Sequence, residues 1–212
     1  MSRRSWGKLK REWGNKGEWA RQDLRAAFNP KTTAGRLVLS SSRLTVSATS
    51  GAPMGNVMTF TDLYVSTGKW YCELTFNASV NDSMLFGVCE AGHSVEAESW
   101  PGDTGGSYGL YSNDGETYND GNNTAYGVAV GEDETMMMAL NMPDGEIFWG
   151  SEGTWFNSGD PAAGTNPAYT GLSGDLYIAV SLLEYLDIVT LNVGGSPFQH
   201  TIPTGFKRWN LA

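Results

Sequence analysis

The chain has 212 residues, of which 40% are apolar, 12% aromatic and 17% charged, with a formal net charge of −9 at pH 7. This composition excludes a disordered chain and a coiled coil, and no apolar run approaches the roughly 20 residues that a bilayer span needs. The charge is unevenly placed: residues 1–43 hold 11 of the 14 Lys and Arg with 3 acids, whereas residues 44–212 hold 3 basic residues and 20 acids.

Residues 1–35 read as a basic arm. Trp6, Leu9, Trp13, Gly17, Ala20, Leu24 and Ala27 recur at steps of three or four, which predicts one apolar helical face. Arg3, Arg4, Lys8, Lys10, Arg11, Arg21 and Arg25 fill much of the rest. Gly14 and Gly17 each weaken a helix by about 1 kcal/mol relative to Ala, so the segment would order mainly against something else. Asn29-Pro30 is expected to end the helix. Lys8, Lys10, Arg11 and Lys16 interrupt any apolar signal-peptide core, so the chain is expected to be made in a reducing cytosol.

Four readings of the arm remain open. A nucleic-acid tail has the charge but lacks a groove-reading motif, and its tryptophans share a face instead of forming stacking platforms. A membrane-surface helix has the composition but is weakened by the two glycines and by Glu12, Glu18 and Asp23. The arm would also pack against its own acidic body. A docking segment fits best, with Trp6, Leu9, Trp13 and Leu24 as anchors and the basic residues steering toward an acidic patch.

From Arg36 onward the period changes to two, and residues 36–212 are assigned to one sandwich. Residues 36–40, 44–48, 57–60, 69–76, 84–89, 135–141, 146–149, 176–181 and 188–192 have the β-branched and aromatic content of strands. Asn113-Asp-Gly115, Asn119-Asp-Gly121 and Pro143-Asp-Gly145 supply turn chemistry between them. Many short strands with no intervening helix predict an all-β, two-sheet antiparallel sandwich, large enough to need no disulfides. Cys72 and Cys89 are too few for a disulfide framework or a cysteine-based metal site. If residues 77–83 close a hairpin, Cys72 falls opposite Val88 and Cys89 opposite Tyr71, so the two sulfurs face away from each other and stay free.

Gly68-Lys-Trp-Tyr-Cys-Glu73, Phe86-Gly-Val-Cys89, Asp144-Gly-Glu-Ile-Phe-Trp149, Gly153-Thr-Trp155, Thr190-Leu-Asn-Val-Gly194 and Pro197-Phe198 fall in the order found in the SPRY domain. Over roughly residues 30–212 the chain resembles that family. The run from Trp155 to Pro167, followed by Pro203-Thr-Gly-Phe206, looks more narrowly like SPRY-type proteins of tailed bacteriophages. The sequence departs from the family at Leu140-Asn141, where an aspartate is usual, and at Glu152-Gly153, where Asn-Gly is usual. The resemblance implies a concanavalin A-like jelly-roll sandwich that binds peptides or protein surfaces through loops at one end, without catalysis. Its phage relatives imply a particle component.

The residues themselves offer little to an enzyme. Glycan hydrolysis needs two carboxylates on one strand face, and Glu184 and Asp187, three apart, fall on opposite faces of a strand. Glu132 and Glu134 are in phase but border a loop. The two histidines, His93 and an expectedly exposed His200, make no recognisable triad. Asp114, Glu116, Asp120, Asn122 and Asn123 offer oxygens to Ca²⁺ but without EF-hand spacing, and turn formation is the favoured reading. Neither metal nor cofactor is therefore assigned.

Trp100, Tyr108, Tyr111, Tyr118 and Tyr126 flank Gly- and Asn-rich segments, a mixture suited to adaptable binding surfaces, though Tyr108 and Tyr126 also suit core packing. Trp100, Tyr111, Tyr118, Asn119, Trp155 and Asn157 are the assigned loop surface. The resulting expectation is a non-enzymatic phage virion protein, made in the bacterial host cytoplasm. Its partners would be other virion proteins and copies of itself, with nucleic acid and a membrane span disfavoured. A lectin-like receptor-binding module that grips host glycan is the alternative.

Overall fold

The computed structural model describes residues 26–49, 57–95 and 99–211. Its strands are β1 (Phe28–Thr33), β2 (Leu37–Leu39), β3 (Thr45–Ala48), β4 (Val57–Val65), β5 (Lys69–Ala78), β6 (Met84–Glu90), β7 (Ser107–Tyr111) and β8 (Glu116–Asn119). They continue with β9 (Asn122–Ala125), β10 (Thr135–Asn141), β11 (Glu146–Ser151), β12 (Thr154–Trp155), β13 (Leu176–Leu182), β14 (Ile188–Asn192) and β15 (Lys207–Arg208). A seven-stranded sheet runs β1-β4-β13-β6-β7-β8-β9. The eight-stranded sheet runs β12-β11-β10-β5-β14-β3-β2, with β15 added alongside β5. All pairings are antiparallel except β15 with β5. The expected two-sheet antiparallel sandwich is the fold, and all nine predicted strand segments are strands.

Alternation along each strand decides what it covers. Trp70, Cys72, Leu74 and Phe76 of β5 join Met136, Met138 and Leu140 of β10 in the core between the sheets, against Phe86 and Val88 of β6 and Ile178 and Val180 of β13. The intervening Tyr71, Met137, Ala139 and Phe148 point the other way, yet they too are buried, under Phe198, Ile202 and Phe206. A segment after β14 thus straps the outer face of the eight-stranded sheet. Glu73 fastens it: its carboxylate accepts hydrogen bonds from the Tyr71 hydroxyl (2.8 Å) and from the backbone N–H of Gln199 and His200 (both 2.9 Å).

Two expectations need correction. The arm was drawn to residue 35, but Phe28–Thr33 is strand β1 and Ala26 and Ala27 are buried without helix. Pro30 is tolerated because β1 is an edge strand whose register shifts between Phe28 and Thr33, where no ladder N–H is required. Apart from two three-residue 3-10 turns, the described residues carry no helix, and of the arm helix expected to run to residue 28 the part at residues 1–25 lies outside them. Residues 77–83 do not close a hairpin either, since β5 and β6 belong to different sheets and the loop crosses between them.

The cysteines are nonetheless free, for a different reason. Cys72 faces the inter-sheet core, whereas Cys89 sits on the outer side of the seven-stranded sheet with Met58, Phe60 and Ala179. Burial pushes both thiols well above the usual range, helped at Cys72 by the charge of Glu73 and at Cys89 by Asp103 and Glu90. A thiol-reactive dye should leave the native protein unlabelled at pH 8 and titrate two thiols per chain after unfolding; fewer than two would contradict this placement.

Candidate functional site

Three loops meet at the end of the sandwich where β5, β13 and the segment before β10 finish, and one buried carboxylate holds two of them together. Asp187 Oδ1 accepts the N–H of Val80 (3.1 Å), and its Oδ2 accepts the N–H of Glu184 (3.0 Å). Asn81 Nδ2 reaches Glu184 Oε1 (3.4 Å), and Glu132 Oε2 accepts the N–H of Ser79 (3.1 Å), which ties in the third loop. What this framework presents is apolar: Val80, Tyr185 and Leu186 are 53%, 43% and 54% exposed. Leu186 also has φ +80°, a left-handed conformation that costs a non-glycine residue about 1 kcal/mol or more. A bulky residue that is both strained and solvent-facing is disfavoured by folding on two counts.

A cavity of about 190 Å³ borders this end, lined by Leu85, Trp100, Tyr111, Tyr118 and Leu183. The two tyrosine rings meet edge-on, 6.4 Å between centroids. Their hydroxyls bond to the scaffold, Tyr111 to Ser83 Oγ (3.1 Å) and Tyr118 to Glu116 Oε2 (3.3 Å), so the rings supply apolar faces. Burial, and then the charge of Glu116, pushes the Tyr118 hydroxyl up to about 12, so it stays neutral at physiological pH. Trp100 is positioned by Asp103, whose Oδ2 accepts its N–H (3.4 Å) and whose Oδ1 bonds His93 Nε2 (2.7 Å) and the Ser107 hydroxyl (3.3 Å).

Trp100, Tyr111 and Tyr118 are therefore brought together as assigned, but the other three loop residues are not. Asn119 donates through Nδ2 to the carbonyls of Thr104, Gly105 and Ser107 and braces the loop that carries Trp100. Trp155 lies on the outer face of the eight-stranded sheet, edge-on to Tyr71 at 6.3 Å. Asn157 sits at φ +52° in a 3-10 turn, where conformation explains the residue. Tyr108 and Tyr126 pack against the inter-sheet core. The arm residues Arg3, Arg4, Trp6, Lys8, Leu9, Lys10, Arg11, Trp13, Arg21, Leu24 and Arg25 lie outside the described residues.

The candidate catalytic and metal-binding groups have structural uses. Glu134 Oε2 accepts the N–H of Gly131 (2.8 Å). His200, expected to be exposed, is 17% exposed and holds Nε2 3.9 Å from Glu152 Oε1. Asp114 Oδ1 caps the N–H of Glu116 (2.8 Å), Asn122 Nδ2 bonds the Asp120 carbonyl (3.0 Å), and Asn123 donates to Glu116. Among the described residues no group of three or more His, Cys, Asp or Glu is placed to hold a metal ion. At Glu152-Gly153 the pair forms the two-residue turn between β11 and β12 at φ +48° and +79°, and the Glu152 carboxylate accepts the N–H of Thr135 (2.6 Å).

Sequence reading missed Leu85, Leu183, Tyr185, Leu186 and Val80. Leu85 sits in a continuous apolar run, Leu183 follows one, and no pattern distinguishes a strand leucine that lines a cavity from one that fills a core.

The buried Asp187 gives this end a pH signature. Desolvation raises its carboxyl to about 6, against the hydrogen bonds from Val80 and Glu184 that lower it. A raised native value means that folding is favoured where the group is protonated. The benefit is complete below the ordinary carboxylate value near 3.8 and is lost as pH rises through 6. Stability relative to an Asp187→Asn variant should accordingly fall by on the order of 3 kcal/mol between pH 3.5 and 7 in urea titrations. A constant difference would show that the carboxylate is not desolvated.

The geometry defines an all-β sandwich that presents a loop surface at one end. The SPRY domain family model matches residues 69–196, and the chain belongs to that family. Among solved structures, the SPRY domain of human HERC1 superposes with a TM-score of 0.65 at 14% identity, covering 81% of this chain and 100% of that one. A human SPRY domain gives 0.56 at 14% identity over 76% and 98% of the two chains. The TRIM65 PSpry domain gives 0.58 at 16% over 79% and 91%. No curated protein matches the sequence. The family is one of protein-interaction modules that are typically not catalytic. No helix among the described residues is long and apolar enough to cross a membrane.

Proposed function

We propose that this protein is a non-catalytic binding module whose partner is a protein docked on the end surface formed by Val80, Tyr185, Leu186 and the adjoining Trp100 cavity. The observation that carries the reading is Leu186, a leucine kept exposed and at positive φ where glycine would cost less. Aromatic and aliphatic anchors around a small pocket are what a protein interface concentrates its energy in. At the finer level, the protein is a structural component of a tailed-bacteriophage particle, as a decoration, fibre or tail-associated protein. Residues 1–25 are its docking segment. The motif resemblance from Trp155 to Pro167 and the contrast between basic arm and acidic body support this.

The test is quantitation of the chain in gradient-purified particles. Wild type is expected at fixed stoichiometry, located by labelled antibody. Leu186→Gly should raise thermal stability by relieving the backbone yet lower incorporation several-fold. Absence from particles overturns the virion reading, and unchanged incorporation overturns the surface.

A second reading, a lectin-like receptor-binding module, is favoured by one feature. A cavity of about 450 Å³ on the outer face of the eight-stranded sheet is lined by Trp155, Asp160, Gln199, His200 and Thr201, an aromatic ring beside polar groups. Glycan-array binding by the full chain, lost on Trp155→Ala and kept on Leu186→Gly, would select it.

A further inference from the structure

The end surface has a distinctive rim. Residues 79–83, 131–134 and 183–187, the three loops that build it, contain six carboxylates and no Lys or Arg. Asp187 is buried, but Asp82, Glu132, Asp133 and Glu184 reach solvent around Val80, Tyr185 and Leu186. This is an apolar patch in an acidic frame. Residues 1–25 of the same chain are its chemical inverse, with eight Lys and Arg against three acids and a stripe of Trp6, Leu9 and Trp13 at helical spacing.

The direction of the chain sets where the arm begins. In the sheet Leu182 pairs with Val57 and Leu176 with Val65, so the end surface lies beyond the Val57 end of β4. β1 runs antiparallel to β4, from Phe28 opposite Thr61 to Thr33 opposite Thr59, so the chain enters β1 from the Val65 side. Ala27 is held there by Asp62, which also pairs with Arg43 at 2.9 Å. The arm therefore joins the sandwich on the side away from the end surface.

We propose that the basic arm of one copy docks in the acidic-rimmed apolar end surface of the next, making a head-to-tail contact that repeats around a ring or along a filament. Trp6, Leu9 and Trp13 cover Val80, Tyr185 and Leu186. Lys8, Lys10 and Arg11 face Glu132, Asp133 and Glu184. Heterologous contacts of this kind propagate until rotation closes them, and the charge frame makes the association salt-sensitive. The inference rests on reading the end surface as a protein-docking site and names the protein.

The test places a photo-crosslinking phenylalanine at Tyr185 in the full chain and irradiates a mixture of isotopically heavy and light copies. Peptides from residues 1–25 joined to the Tyr185 peptide in heavy–light hybrids are expected. Only same-mass pairs would overturn the proposal in favour of the arm folding back on its own body. Crosslinks to a different particle protein would overturn it while leaving the docking surface intact, and crosslinks to no protein would overturn both. Independently, Lys8→Glu, Lys10→Glu and Arg11→Glu together should weaken self-association at least tenfold by sedimentation. Glu132→Lys, Asp133→Lys and Glu184→Lys on the other copy should restore it; failure of that rescue overturns the pairing.

Discussion

Glu73→Ala is expected to lower the unfolding free energy by about 4 kcal/mol in urea, because it strips a fully buried carboxylate from three donors at once. The Tyr71 hydroxyl and the N–H groups of Gln199 and His200 would be left without their acceptor beneath the strap. Glu73→Gln should fall between the two proteins, since one amide oxygen still accepts while the amide nitrogen confronts a donor. Hydrogen exchange at Gln199 and His200 should rise in both variants before global unfolding, which separates release of the strap from general weakening. A loss below 1 kcal/mol for Glu73→Ala would mean that the strap is fastened by Phe198, Ile202 and Phe206 alone.

Gly109→Ala is expected to cost about 3 kcal/mol and to disturb the Trp100 cavity at a distance from it. A Cβ at Gly109 would stand 2.0 Å from the carbonyl oxygen of Pro101, so the segment carrying Trp100 lies directly on that backbone. Inserting a methyl there must lift the segment or part β7 from it. Trp100 fluorescence should shift toward that of exposed indole, measured with the other tryptophans as a constant background. Gly105→Ala is the control, because its nearest neighbour is Asp120 Oδ1 at 3.9 Å. Equal effects at the two positions would show that the loop is not seated on β7.

The elements that sequence revealed and those it hid differ in what holds them. Strands β5, β6, β10, β11, β13 and β14 are specified by apolar side chains, and pattern reads them directly. β8 and β9, Glu-Thr-Tyr-Asn and Asn-Asn-Thr-Ala, exist because the Asp120-Gly121 turn adopts φ +53° and +71° and closes a hairpin. Their turn was legible but their strand character was not. β1 is hidden by Pro30, and β15 by its pairing with Trp70 and Tyr71, far away in the chain. For the site, aromatics in glycine-rich context pointed to Trp100, Tyr111 and Tyr118. The misassignment of Asn119 and Asn157 has one cause: asparagine, which suits ligand contacts, also builds turns and loops. Nothing in Leu183-Glu-Tyr-Leu-Asp187 signals a left-handed leucine or a buried aspartate, since both depend on where β13 and β14 end.

The strap over the eight-stranded sheet also shapes how this sequence would drift. A strand with one wet face tolerates change at every second position, as β14 should, where Val189 and Leu191 are buried and Ile188, Thr190 and Asn192 are partly open. β5 and β10 have no such relief, because the strap closes their second face, and β10 is buried at all seven positions. A saturation-mutagenesis map should therefore show alternating stripes along β14 but solid intolerant bands at residues 70–74 and 135–141.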